Sequence, residues 1–253
     1  MTNIPSRTVL LLSGGVDSLT AGAVARAHGA EIYALSFDYQ QVNRKELESA
    51  ARAAISLGAR EHHVMKLGLG LGTFGRSTLL SQSSKKVESK GKAPIVSGGD
   101  LGIYVPARNT VLLACALSYA EMIEAQSIVV GASCVAMGAK PSRYKDCHPE
   151  FYLAFQDLAH LAVQLREEVQ IFCPLMYLNK KETIGYGLSQ NLDYSQTWTC
   201  YTDGENHCGQ CSACEMRLYA FHSLHMKDPA PYEKGFDYWV DTYQERWQTV
   251  AKW

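Results

Sequence analysis

The sequence of 253 residues predicts an α/β fold, in which a doubly wound, mostly parallel sheet is followed by a small helical C-terminal region. Through the first two-thirds of the chain, short apolar runs alternate with segments of helical periodicity, which is typical of parallel sheets with helices on both faces. A glycine-rich turn follows the first apolar run, and four cysteines crowd together beyond residue 199. Folds of this class bind ligands at the carboxyl ends of the strands, so we expect the functional site there.

The predicted elements follow in order along the chain. Strand patterns occupy residues 9–12, 32–37, 63–67 and 127–131, and helical patterns occupy residues 18–27, 44–57, 110–123 and 150–165. Two glycine-rich or polar stretches interrupt them: residues 68–104, expected to be a long mobile excursion able to close over a substrate, and residues 132–148. Residues 228–253 form a tail rich in Trp and Tyr, to which the pattern assigns no role.

Composition and charge narrow the class of protein. Apolar residues make up 47% of the chain and the formal net charge is −1. This balance predicts a soluble globular protein without a large electrostatic footprint for duplex nucleic acid or a membrane surface. The sequence shows no signal-peptide pattern and no apolar run of membrane-spanning length, so we expect a cytoplasmic protein without membrane or direct nucleic-acid partners.

The turn after the first strand pattern has the composition of an anion site. Its residues are Ser13, Gly14, Gly15, Val16, Asp17 and Ser18, and a helical pattern follows at once. Glycines let backbone N–H groups approach a polyphosphate, the two serines add hydroxyl donors, and the helix dipole favours negative charge. The acidic residue could cap the helix or help to hold magnesium. The turn lacks the Gly-Lys-Ser/Thr ending of a Walker A loop and the G-x-G-x-x-G of a dinucleotide site; the alternative is an ordinary glycine turn.

The clustered cysteines have the spacing of a metal site. They read C-x7-C-x2-C-x2-C, and the candidate ligands are Cys200, Cys208, Cys211 and Cys214. Four thiolates without an open position describe structural zinc. A redox C-x-x-C, an iron-sulfur cluster and four unconnected thiols are the alternatives. His207 could replace one thiolate, although we expect it to be a surface histidine.

The glycine turn resembles the S-G-G-x-D-S loop of the PP-loop ATP pyrophosphatases, and further segments extend the likeness over most of the chain. These enzymes grip the β and γ phosphates of ATP as a leaving group and expose the α phosphate. The further segments are Phe37-Asp38-Tyr39 followed by Glu46, Val105-Pro106-Ala107-Arg108-Asn109, Pro174-Leu175 with Lys181-Glu182, and the four clustered cysteines. In this order they resemble the QueC family of 7-cyano-7-deazaguanine synthases.

The resemblance implies a fold, an activity and cofactors. The fold would be a Rossmann-like PP-loop (HUP) fold, with a nucleotide-binding domain over residues 1–190 and a helical zinc-binding region over residues 191–253. The enzyme would activate the carboxylate of 7-carboxy-7-deazaguanine with ATP, let ammonia form the amide, and use a second ATP to dehydrate the amide to the nitrile. The cofactors would be ATP, Mg²⁺ and Zn²⁺, and we expect a homodimer. ATP would contact Ser13, Gly14, Gly15, Val16, Asp17, Ser18, Leu35 and Phe37.

The resemblance also suggests catalytic residues, namely Asp17, Arg108, Lys181 and Asp38. Arg108 lies in the segment that matches V-P-G-R-N and could pair with developing phosphate or carboxylate charge, the alternative being a surface arginine. Lys181 could reach the phosphates, or it could belong with Lys180 to a solvated helix start.

Asp38, Glu46 and Cys147 have possible functional roles, and for Asp38 and Cys147 there is also a purely structural interpretation. Asp38 and Glu46 could bind magnesium or accept a proton from the attacking amine, although Asp38 could merely end its strand. Cys147 matches the family's Y-P-D-C-R-P-E-F, which suggests a place near the substrate. A single intracellular cysteine is more often a small buried apolar residue.

Departures from the family pattern lead to three hypotheses. The family's F-D-Y-G-Q-R-H is F-D-Y-Q-Q-V-N here, with Val42 among the changes, and its V-P-G-R-N glycine is Ala107. Lys140 replaces an acidic position of the family, and Arg143 and Lys145 add two more cations. The first hypothesis is a 7-cyano-7-deazaguanine synthase. The second is a related ligase, of a kind found in antiviral gene clusters, that joins the activated carboxylate to an amine of a protein or another acceptor and stops at the amide. The third is a non-catalytic zinc-bearing nucleotide-binding module, against which the intact glycine turn and Arg108 argue.

Overall fold

The computed structural model describes residues 6–41, 44–67, 105, 107–136, 141–165, 168–202 and 204–250. The predicted excursion at 68–104, Val42 and Lys140 lie outside these ranges. The strands are β1 (Arg7–Leu11), β2 (Glu31–Asp38), β3 (Glu61–Lys66), β4 (Ser127–Val130) and β5 (Gln170–Phe172). The helices are α1 (Val16–Ala27), α2 (Lys45–Leu57), α3 (Arg108–Met122), α4 (Pro149–Ala162), α5 (Lys180–Ser189), α6 (Ser212–Ser223) and α7 (Phe236–Val250).

The five strands form one parallel sheet in the order β3-β2-β1-β4-β5. Leu11 at the end of β1 aligns with Leu35 of β2 on one side and with Val130 of β4 on the other. The chain builds outward in one direction from β1 to β3 and in the other from β4 to β5, so the order reverses between β1 and β4. That reversal opens a crevice at the carboxyl ends of these strands. The predicted fold class is confirmed.

Both faces of the sheet are buried against helices, as the alternating strand residues require. Leu10 and Ala34 belong to the apolar core beneath α1 and α2, whereas Val9 and Leu35 belong to the core beneath α3 and α4. Strands buried on both faces read as continuous apolar runs, which is why β1 and β2 were visible in the sequence. The fifth strand was missed because its three residues are too few to show a period.

The C-terminal helices complete the core beneath α1 and α2. Trp198, Phe221 and Trp247 are buried in the same apolar cluster as Leu10 and Leu19. A division at residue 190 therefore crosses a shared core, and the domain boundary stays a prediction. Within the described ranges, no helix has both the length and the apolar character needed to cross a membrane.

The aromatic tail forms helix α7, and its rings lie along one side. Trp239 stacks on Tyr243 with ring centroids 5.9 Å apart, and Tyr243 stacks on Trp247 at 5.6 Å. These residues are four apart, so they share one helix face. That face packs against α6 and against the turn at Gly209 between the clustered cysteines, where the Tyr243 hydroxyl donates to the Gly209 carbonyl.

Candidate functional site

The loop at residues 13–18 joins β1 to α1 at the crevice between β1 and β4. Gly15 is the N-cap of α1, and no side chain caps the helix, so the N–H groups of the first turn are available to an anion. The Ser18 hydroxyl donates to the Gly15 carbonyl at 3.1 Å and lies 3.1 Å from the Ser13 hydroxyl. The hydrogen bonds of these two serines therefore help to hold the loop in its shape.

A glycine is required at residue 14 because the neighbouring backbone leaves no room for a Cβ. Its φ is +81°, in the left-handed region, and a Cβ there would lie 2.3 Å from the carbonyl oxygen of Glu46. The loop thus presses against the first turn of α2 on one side. Gly15 has ordinary room, since the nearest atoms to a Cβ would lie 3.5 Å away.

A cavity of about 630 Å³ opens at the carboxyl ends of β1, β2 and β4. Its volume falls in the range of small-molecule sites. Four groups of residues line it: the loop residues Ser13, Gly15, Val16, Asp17 and Ser18; the strand residues Leu35 and Phe37; the polar residues Tyr39, Glu46, Arg108, Asn109, Asp146 and Cys147; and the C-terminal residues Trp198, Thr199, Tyr201 and Arg217.

Asp17 is held by a lysine from α5. The ammonium of Lys180 donates to both carboxylate oxygens of Asp17, each at 2.5 Å. Lys180 lines the cavity, whereas Lys181 is exposed on the other side of the helix start. A capping box between Asn179 and Glu182 fixes where α5 begins and hence which lysine turns inward.

Arg108 lines the cavity as part of a polar cluster with Tyr39 and Glu46. Its guanidinium donates to the Tyr39 hydroxyl at 3.5 Å, and it lies close enough to Glu46 to interact with its charge. Burial raises the pKa of the Glu46 carboxyl to about 7, and Arg108 opposes the rise. Burial also raises the pKa of Tyr39. The cavity thus places a carboxyl that titrates near neutrality beside a fixed cation.

Ala107, the N-cap of α3, explains a departure from the family pattern. Its φ is +51°, in the left-handed region that favours glycine. A glycine in the pattern at this position relieves that strain and turns the chain so that Arg108 enters the cavity. The alanine here adopts this conformation at a cost of about 1 kcal/mol relative to glycine.

The remaining candidates divide between the cavity and its surroundings. Asn109 donates to the Asp146 carbonyl at 3.2 Å, which ties α3 to the segment that carries Cys147. Burial raises the pKa of the Cys147 thiol, so it is neutral near pH 7. Arg143 also lines the cavity but is exposed. Asp38 does not line it; its carboxylate accepts a hydrogen bond from the Gln40 backbone at the end of β2.

The clustered cysteines form a compact set of donors beside this cavity. The four Sγ atoms of Cys200, Cys208, Cys211 and Cys214 all lie within 4.8 Å of one another. Tetrahedral zinc with four thiolates requires sulfur atoms about 3.8 Å apart, given its usual bond lengths. The four sulfurs therefore need only a small contraction to hold a metal ion.

The prediction of a surface position for His207 was wrong. Its side chain is 1% exposed and lies between the rings of Trp198 and Tyr232. Nε2 accepts from the Thr199 backbone N–H at 3.2 Å, and Nδ1 lies 3.2 Å from the Pro231 carbonyl. Burial lowers the pKa of His207 to about 4, so the ring is neutral and supports the turn rather than replacing a thiolate.

Comparisons with known proteins agree on one family. The family model described as "Queuosine biosynthesis protein QueC" matches residues 7–225. The chain belongs to the QueC family. A 7-cyano-7-deazaguanine synthase of Thiobacillus denitrificans is 44% identical over 89% of this chain and 98% of its own. A synthase of the same name from Pseudomonas syringae pv. tomato is 42% identical over 92% of this chain and all of its own.

Solved structures similar to this member of the QueC family are more distant. A 4-thiouridine synthetase in complex with RNA and bound ATP has 17% identity and a TM-score of 0.44, covering 87% of this chain and 50% of its own. An NMN synthetase from Francisella tularensis has 15% identity and a TM-score of 0.43, covering 96% and 87%. Similarity at this level says nothing about the activity of this chain.

Lys180 and Arg217 line the cavity but were not singled out from the sequence. Lys180 was grouped with Lys181 because a pair of lysines does not reveal which of them faces the cavity. The capping box of Asn179 and Glu182 is the sequence signal that could have shown where the helix begins and so which lysine faces inward. Arg217 is fully buried and pairs with Asp228, eleven residues further along the chain. Its position three residues after the last clustered cysteine was the only available signal.

Proposed function

We propose that this protein is a 7-cyano-7-deazaguanine synthase, which activates the carboxylate of 7-carboxy-7-deazaguanine with ATP, forms the amide with ammonia and dehydrates it to the nitrile. The observation that carries the proposal is one cavity lined both by the 13–18 loop, whose helix start has no side-chain cap, and by Arg108 and Glu46. The named synthases that are more than 40% identical to this chain over the aligned residues support the same assignment.

ATP would lie with its phosphates over the 13–18 loop and its base against the end of β2. The free N–H groups at the start of α1 and the hydroxyls of Ser13 and Ser18 suit the β and γ phosphates. Leu35 and Phe37 offer the apolar wall that a purine needs. A magnesium ion, when bound, would neutralise phosphate charge, and Asp17 is the carboxylate that the loop itself carries.

We assign the remaining polar groups by their position in the cavity. Lys180, rather than Lys181, would reach the leaving pyrophosphate, because its ammonium already lies at the loop. Arg108 would pair with the substrate carboxylate or the α phosphate. Glu46, with its raised pKa, suits the acceptance of a proton from the attacking amine near neutral pH.

The cysteine cluster would hold structural zinc. Its four donors leave no position open for a substrate, and three of them are buried. Such a site contributes directly to the free energy of folding. Thiolates of this kind persist in a reducing compartment, which agrees with a cytoplasmic enzyme.

We also propose a homodimer through the outer face of α4. Leu153, Leu158 and Leu161 are 65%, 48% and 86% exposed and lie on one side of this helix. Three exposed leucines on one helix are a surface that a second copy can cover with two-fold symmetry.

A ligase that stops at the amide is the second candidate. Arg143 at the exposed rim of the cavity favours it, because a cation there can attract an acidic acceptor. The two candidates share the first activation step and differ at the second, which requires the neutral amide to be bound and activated again.

Product analysis tests both. The enzyme is incubated with ATP, magnesium, 7-carboxy-7-deazaguanine and ammonium, and the products are followed by mass spectrometry. We expect the amide first and then the nitrile at a comparable rate. Amide alone, with a mass increase on a co-expressed acceptor protein, would replace the synthase with the ligase, and no ATP-dependent product would refute both.

A further inference from the structure

The segment at residues 194–199 touches the phosphate-binding machinery at two points. The backbone N–H of Trp198 donates to the Gly14 carbonyl at 3.0 Å, which is a direct bridge to the 13–18 loop. The Tyr194 hydroxyl lies 2.7 Å from the Thr20 hydroxyl on α1. Because the Thr20 hydroxyl donates to the Val16 carbonyl at 2.8 Å, the tyrosine is the donor to Thr20.

The Tyr194 hydroxyl is held in a slot that admits little movement. Its side chain is 1% exposed and packs edge-on against Phe221. On the other side lies Gly187 of α5, where a Cβ would meet the hydroxyl oxygen within bonding distance. Helix α1 is therefore anchored one turn after the residues that offer their N–H groups to phosphate.

A buried arginine holds the 194–199 segment from behind. The Arg217 guanidinium donates to the Tyr194 carbonyl at 2.8 Å, to the Thr197 hydroxyl at 2.7 Å and to the Thr199 hydroxyl at 3.2 Å. Its other N–H groups donate to both carboxylate oxygens of Asp228 at 2.7 and 2.9 Å. Both side chains of this pair are fully buried. A bidentate pair of this kind fixes the direction of the guanidinium as well as its position.

We infer that Arg217 and Tyr194 are positioning residues for ATP, which hold the 13–18 loop and the first turn of α1 in the shape that receives the phosphates. The inference rests on the proposed function and deepens it. It gives the C-terminal region a role in nucleotide binding through a named path: Arg217 fixes the 194–199 segment, and that segment fixes Gly14 and Thr20.

Two variants test the path without breaking the buried ion pair, whose loss can unfold the protein. Tyr194→Phe removes only the hydroxyl that reaches Thr20, and Thr197→Val removes a hydroxyl that Arg217 holds. Tyr243→Phe is the matched control, because it removes one hydroxyl that donates to the Gly209 carbonyl at 3.0 Å in the same region but away from the 194–199 segment.

The measurements are the dissociation constants of Mg-ATP and of 7-carboxy-7-deazaguanine by calorimetry, together with the melting temperature. For Tyr194→Phe and Thr197→Val, we expect the Kd of ATP to rise about three- to tenfold, the equivalent of one hydrogen bond, with the Kd of the carboxylate substrate unchanged. Tyr243→Phe should lower the melting temperature without changing either constant.

An ATP affinity of Tyr194→Phe and Thr197→Val within twofold of the wild type would overturn the inference and leave the proposed function intact. A wild type that binds no ATP would overturn the proposed function and the inference with it. Equal weakening of ATP and carboxylate binding would show a general loss of structure and would also refute a positioning role.

Discussion

The hydroxyl groups of Ser13 and Ser18 contact each other and help to hold the 13–18 loop in shape. Ser18 also accepts from the Ser13 backbone N–H at 3.2 Å, so its single hydroxyl closes the loop from both sides. Neither residue contributes to the apolar core. Their proposed role is therefore to hold phosphate rather than to pack the core.

The double variant Ser13→Ala with Ser18→Ala should lower the rate of ATP consumption about 100-fold or more, because preorganised hydroxyl donors stabilise the leaving group. Asp17→Ala should also lower this rate, because it removes the carboxylate that holds Lys180 at the loop. The melting temperature should change little. Pyrophosphate release measures the rate, and Ser56→Ala on the exposed side of α2 is the control. Undiminished turnover in the double variant would remove the loop from the mechanism.

Glu46 should make the stability of the nucleotide-free protein depend on pH. Burial raises the pKa of its carboxyl from 4.5 to about 7, so between these values the folded protein holds a proton that the unfolded chain has released. The free energy of unfolding contributed by this group therefore falls as pH rises through that window. Glu46→Gln, which cannot ionise, should gain in stability relative to the wild type from pH 5 to pH 8.

Denaturant unfolding at both pH values checks this expectation. Glu48→Gln, on the same helix but exposed, is the control and should show no such gain. A constant difference between Glu46→Gln and the wild type across the range would mean that Glu46 is ionised throughout.

At the scale of elements, the end of β4 and the start of α1 fit together through a glycine. A Cβ on Gly131 would lie 2.7 to 2.8 Å from backbone atoms of Asp17 and Ser18. Backbone atoms cannot move aside as the end of a flexible side chain can. Gly131→Ala must therefore displace the first turn of α1. We expect a loss of about 1–3 kcal/mol in stability and weaker ATP binding.

Gly185→Ala is the matched control within a helix. There a Cβ would lie 3.6 Å from Leu224, in ordinary contact, and alanine favours the helix. This variant should be more stable by about 0.5–1 kcal/mol with unchanged ATP affinity. Chemical denaturation and calorimetry separate the two; equal behaviour of the two variants would contradict the fit between β4 and α1.

Elements with a long apolar pattern could be predicted from the sequence, and those fixed by distant contacts could not. Residues 9–12 and 32–37 read as strands because both faces of β1 and β2 are buried. The position of His207 was mistaken because its burial depends on Trp198 and on Tyr232, which lies far from the cysteine motif in sequence. Local periodicity carries no information on such contacts.

At the scale of the whole molecule, three of the clustered cysteines belong to the same apolar core as Leu10 of β1 and Phe221 of α6. Purified protein should carry about one zinc per chain, and Cys211→Ser should lose it and destabilise the C-terminal helices, because a closed thiolate site contributes folding free energy. Elemental analysis and thermal unfolding are the measurements. Cys115→Ser, outside the cluster, should keep the metal.

Absence of any transition metal from the wild type, or a disulfide in its place, would contradict this expectation.

The spacing of the four cysteines was sufficient to predict their convergence, since ligands three residues apart, as in C-x2-C, share one turn. The burial of Arg217 against Asp228 was not predictable in the same way, because a lone arginine in a helix usually faces solvent.

The positions of the tryptophans allow unfolding of the C-terminal region to be followed by their fluorescence. Within the described ranges, Trp198, Trp239 and Trp247 are all buried, and all belong to the core around the cysteine cluster. Their emission will therefore follow the opening of this region to water, while unfolding confined to the other face of the sheet will leave it unchanged. Trp198 stands apart because its backbone holds Gly14, so a fluorescence change on adding ATP would come from this indole first.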